Sequence, residues 1–95
     1  MSRPLLYGGK QRYVITVMWL SGFSVGAIAS DMPRQGFAPM NKEAVNKVVM
    51  KCFQQLAYPP RGSMTLAERQ ERLTALRESP YNDGTLPDRL FEVQR

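Results

Sequence analysis

The chain contains no histidine and one cysteine among its 95 residues, and its first thirty residues contain no acid. Without histidine there is no imidazole base, no Ser-His or Cys-His nucleophile pair and no imidazole metal ligand. A lone cysteine cannot close an internal disulfide or hold a structural zinc by itself. These absences point away from catalysis, and no cofactor beyond a structural phospholipid is expected. Seven prolines interrupt the helices such a short chain could build and limit any single core. No nucleotide-binding glycine loop, internal repeat or low-complexity tract is present.

What is there is unevenly placed. The formal charge is +5, and residues 1–30 contribute +3 of it through Arg3, Lys10 and Arg12. Residues 31–60 add Arg34, Lys42, Lys47 and Lys51 against Asp31 and Glu43, whereas residues 61–95 balance six arginines with six acids. The basic excess therefore lies in and just after the most apolar segment, a pattern of membranes and targeting more than of nucleic acid.

That segment is Tyr13 to Ser30, eighteen residues without a charge. As one helix it would span about 27 Å, close to the hydrocarbon thickness of a bilayer. Lys10 and Arg12 bound it on one side, Asp31 and Arg34 on the other, and Tyr7 and Tyr13 occupy interfacial positions. The expectation is a transmembrane helix over 13–30. Two other readings compete: a secretory signal cleaved after Ala27-Ile28-Ala29, and a buried helix of a globular protein, which the largely polar remainder looks too small to enclose. Within the span Gly22, Gly26 and Ser30 recur every fourth residue beside Ser21 and Ala29, a smooth face for close helix packing.

Beyond the span, Pro33, Gly36 and Pro39 mark a loop over 31–40. A helix over 41–58 opens on Asn41 as N-cap and stops at Pro59-Pro60. Val45, Val48, Val49, Cys52, Phe53 and Leu56 form its apolar stripe, and Lys42, Lys47 and Lys51 its polar face. The stripe suits packing on a partner, and Cys52 within it reads as a small buried hydrophobe. The lysines, with Lys10 and Arg12, are candidate lipid-headgroup contacts. After a linker over 59–64, Thr65 and Glu68 have capping-box spacing for a charged helix over 65–79, with Leu66, Leu73 and Leu76 as a narrow apolar stripe. Glu68, Glu71 and Glu78 interleave with Arg69, Arg72 and Arg77, which argues against a phosphate-binding face. The tail over 80–95 holds the turn Asn82-Asp83-Gly84 and a short helix starting near Pro87.

The fold expected is thus all-α: a basic segment over 1–12, one transmembrane helix, and an extended arm of amphipathic helices without an independent globular core. This layout resembles the small supernumerary subunits of mitochondrial inner-membrane respiratory complexes and ATP synthases. The resemblance implies an uncleaved targeting signal in residues 1–30, no catalytic residue, and an accessory role in assembling or stabilising a respiratory complex of the electron-transport chain, with NADH:ubiquinone oxidoreductase preferred. It implies neighbouring subunits and the lipid bilayer as partners, with no nucleic acid and no small-molecule substrate. A secreted helical protein, or a basic membrane-surface or RNA-binding protein, is the alternative. The denser cations before the span place the N-terminus in the matrix and the arm in the intermembrane space.

Overall fold

The segment expected to cross a membrane as one helix is broken in its middle. The computed structural model describes residues 9–93. Its first helix, α1, runs Gly9–Ser21 and its second, α2, runs Val25–Asp31. Gly22 sits between them at φ +124°, a conformation L side chains rarely adopt, and its N–H reaches back to the Met18 and Trp19 carbonyls. Ser24 then restarts the helix as an N-cap, its hydroxyl accepting from the Ala27 N–H at 3.2 Å. Substituting Gly22→Ala is expected to lower stability by about 1–3 kcal/mol although alanine favours helix, because the break requires the positive φ. A urea midpoint equal to wild type would show that another residue sets the break.

The remaining helices are α3, Lys42–Gln55, and α4, Leu66–Arg77. Asn41 caps α3 through the Ala44 N–H at 2.8 Å, and Thr65 with Glu68 closes a capping box on α4. Helix α3 ends before the proline pair, where Ala57 takes φ +56° and the Tyr58 N–H reaches the Phe53 carbonyl. Single 3-10 turns follow at Pro33–Gln35, Arg61–Ser63 and Asp88–Phe91.

Helix α1 is the centre of the molecule. Val14, Ile15, Val17 and Leu20 are wholly inaccessible, and α2, α3, α4 and the Asp88–Phe91 turn pack around it. Val45, Val48, Val49, Cys52 and Phe53 face it from α3, Leu73 from α4, and Leu86, Leu90 and Phe91 from the tail. The expected transmembrane helix over 13–30, with a trailing arm that lacks a core, is therefore corrected. Among the described residues the chain is all-helical around one core, with a radius of gyration of 12.6 Å, and no helix is long and apolar enough to cross a membrane.

The physical reason is length. An eighteen-residue helix would need more apolar cover than residues 31–95 supply, but α1 is 13 residues, about 20 Å, and one stripe from each neighbour closes it. The expected matrix-to-intermembrane-space orientation rested on that span. Of the expected basic segment, residues 1–8, Arg3 and Tyr7 among them, lie outside the described residues.

Polar clasps hold the cover in place. Lys10 Nζ donates to Asp83 Oδ1 at 2.6 Å and to the Tyr81 carbonyl at 3.2 Å, tying the start of α1 to the tail turn. That lysine, with Thr85, holds the Asp83 carboxyl well below the usual carboxylate range, so the clasp stays charged until strongly acidic pH. Tyr13 donates its hydroxyl to the Leu76 carbonyl at 2.9 Å, and burial pushes its phenol up. Gln70 grips the tail from α4, donating to the Phe91 carbonyl at 2.8 Å and accepting from the Val93 N–H at 3.0 Å.

Candidate functional site

Two features of the surface stand out: the outer face of α3 and a cleft at its edge. Core packing uses the 45, 48, 49, 52, 53 side of α3, so the opposite side must face outward. Lys47 and Lys51 are exposed there beside Glu43 and form no ion pair among the described residues, and Lys42, also exposed and unpaired, lies on the flank next to α2. Met50 stands among them with 63 % of its surface accessible. The stem of Lys42 lies over Gly26, where an added Cβ would come within 3.2 Å of its Cε. Arg12 stands at the far end, its guanidinium donating to Gln55 Oε1 at 2.8 Å.

The charge of residues 61–93 differs in origin and in sign. Residues 61–93 carry five arginines and six acids. Two of those arginines turn inward onto the C-terminal end of α1. Arg61 Nη1 donates to the Trp19 carbonyl at 3.0 Å and to the Phe23 carbonyl at 2.9 Å, and Arg69 Nε donates to the Leu20 carbonyl at 2.9 Å. The Trp19 and Leu20 carbonyls lie in the last turn of α1 and the Phe23 carbonyl in the break after it, where helical partners run out, and two cations suit the negative end of the dipole. Burial and the neighbouring Arg69 pull the Arg61 guanidinium below its ordinary value. Glu68 and Glu71 on α4 and Glu78 at its C-cap are exposed on the surface of this region, together with Arg77 and Arg89.

Arg61 also lies 3.5 Å over the ring of Trp19. Beside this stack opens a cleft of about 500 Å³ whose walls include Trp19, Val49, Met50, Phe53 and Tyr58. Phe53 and Tyr58 meet edge to face at 5.4 Å, and the Arg72 guanidinium lies 5.0 Å from the Tyr58 ring. A second cleft, of about 250 Å³, lies between Arg12, Tyr13, Cys52 and Tyr81.

The sequence-derived candidates are distributed as follows. Of the small-residue face, Ser21 ends α1 buried and bonded to the Val17 carbonyl, Gly22 forms the break, and Gly26, Ala29 and Ser30 ride on α2, so the face is not continuous. Of the partner-packing stripe, Val45, Val48, Val49, Cys52, Phe53 and Leu73 serve the chain's own core and Leu76 packs against it, while Leu56 and Leu66 are 48 % and 47 % exposed. Of the headgroup set, Lys10 is engaged by Asp83 and Arg12 by Gln55, leaving the three lysines of α3. The inward arginines and the Trp19 cleft were not found by sequence reasoning. Their only advance signal was Trp19 at mid-segment, where an interfacial aromatic is out of place.

No group of histidine, cysteine and acid side chains suited to a metal occurs among the described residues. Comparison with protein-family models, with curated proteins and with solved structures finds no match to this chain.

Proposed function

We propose that this chain is a non-catalytic accessory subunit of a larger membrane-bound complex, resting peripherally on an anionic phospholipid surface through the outer face of α3. The observation that carries this reading is a small basic patch: Lys47 and Lys51 share the exposed face of α3 without ion pairs among the described residues, with Glu43 as the one acid of that helix, while all six acids of residues 61–93 are exposed on α4, its C-cap and the tail. A lysine near an anionic bilayer contributes about 1 kcal/mol, so the two on this face give weak, salt-sensitive adsorption. Such adsorption orients a subunit whose main grip is on protein neighbours. The secreted alternative is disfavoured because cleavage after Ala29 would remove α1 and with it the centre of the core.

The test is sedimentation with vesicles of phosphatidylcholine with or without phosphatidylglycerol. Wild-type chain is expected to partition onto the anionic vesicles and to be released by salt. The Lys47→Gln/Lys51→Gln double variant should lose about thirtyfold in partition, the equivalent of about 2 kcal/mol. Equal binding to neutral vesicles, or an unaffected double variant, overturns the reading; tighter binding to duplex RNA than to either vesicle favours the nucleic-acid alternative.

A further inference from the structure

The cleft beside Trp19 carries a chemistry that the lysine face does not use. Its floor and walls are aromatic and aliphatic, and none of its lining residues is acidic. At one end stands Arg61, which spends only Nη1 on the Trp19 and Phe23 carbonyls; its Nε and Nη2 have no hydrogen-bond partner among the described residues. Among the described residues no carboxylate pairs with Arg61 or with Arg69 beside it. A guanidinium pinned by two carbonyls and stacked on an indole is already ordered, so a carboxylate arriving on its free edge loses little side-chain entropy in pairing with it.

The rim favours a peptide over a lipid chain. Asn46 and Gln54 both border the cleft from α3, eight residues apart, and the Gln54 side-chain amide makes no hydrogen bond among the described residues. Their separation along the helix is about 12 Å, the length of about four residues of extended chain. Side-chain amides match the N–H and C=O groups of a backbone and offer nothing to an acyl chain. Met50 between them presents a flexible apolar surface that adapts to varied side chains.

We propose that this cleft binds a short acidic and apolar segment of a partner protein, laid along α3 with a carboxylate on Arg61 and an apolar side chain against Trp19 and Tyr58. The site adjoins the α3 lysine face at Met50 but is lined by neither Lys47 nor Lys51, and it does not depend on membrane attachment.

Trp19 is the chain's only tryptophan and lines the site, so its fluorescence reports occupancy. The probe is a fluorescein-labelled octapeptide alternating glutamate and leucine, with a lysine–leucine octapeptide as the control. Anisotropy is expected to show saturable binding of the acidic peptide alone, and the unlabelled acidic peptide should shift Trp19 emission. Met50→Glu, at an exposed position that leaves the core intact, should weaken binding about tenfold or more, with an unchanged far-ultraviolet circular dichroism spectrum. Lys51→Glu, outside the cleft, should weaken it less than about threefold. Absence of saturable binding overturns the proposal, as does a Met50→Glu variant that binds like wild type or a greater loss with Lys51→Glu. A Trp19 shift produced by phosphatidylglycerol vesicles, sensitive to Met50→Glu and absent with the peptide, would overturn it in favour of an amphiphile.

Discussion

Leu20→Ala is expected to destabilise the chain by about 2–5 kcal/mol, enough to leave a domain of this size partly unfolded at room temperature. Leu20 is wholly buried in the last turn of α1, and its carbonyl is held by Arg69. Removing its side chain leaves a cavity between α1 and its neighbours, and close-packed surroundings collapse into it only in part. For a domain of 60–100 residues each kcal/mol shifts the melting temperature by about 4–8 °C, so a fall of at least about 10 °C is expected in a thermal scan followed by circular dichroism. Met50→Ala, at an exposed position, serves as the control and should shift it by less than about 3 °C. A Leu20→Ala variant that melts like wild type in detergent-free buffer would mean that α1 is not enclosed by its own chain. The same truncation on a lipid-facing helix would carry no such cost, so this measurement separates a core helix from a membrane span.

That distinction was hard to read from the sequence for a specific reason. An uncharged run such as Tyr13 to Ser30 satisfies a bilayer and a protein interior equally, because both exclude water. What separates them here is Gly22-Phe23-Ser24, a helix end followed by an N-cap, and Ser24 with the Ala27 N–H is the kind of local signal that located the other helices. Asn41 before α3 and Thr65 with Glu68 before α4 were legible, because caps act over three residues and polar flanks frame them. At Gly22 the recurrence of Gly26 and Ser30 four and eight residues later suggested a continuous packing face and masked the break. Lys47 and Lys51 were legible as one exposed face of α3 from their four-residue spacing. The Trp19 cleft was not, since Arg61 lies 42 residues from Trp19 and no local pattern relates the two.

Arg61→Ala is the second substitution expected to have a large effect, about 2–4 kcal/mol, far above the cost of removing an ordinary surface arginine. The guanidinium satisfies two carbonyls at the break between α1 and α2, and hydrogen bonds to a charged donor contribute about 1.5–3 kcal/mol where they are not fully replaced by water. It also covers the Trp19 ring at 3.5 Å, so its loss opens the indole to solvent. Arg77→Ala is the matched comparison: its pair with Asp88 spans 3.5 Å between side chains that are 41 % and 90 % exposed, and such pairs contribute about 0–1 kcal/mol. Chemical denaturation should therefore rank the two arginines far apart, with a red shift of Trp19 emission in the folded Arg61→Ala chain and none in Arg77→Ala. Arg61→Lys separates charge from geometry: the ammonium keeps the cation at the negative end of α1 but lacks the planar fork that stacks on Trp19 while reaching both carbonyls. It should recover less than half of the lost stability and leave the emission shifted. Full recovery by lysine would assign the effect to charge at the helix end alone, and equal costs for Arg61→Ala and Arg77→Ala would show that the carbonyls at the break are satisfied by water.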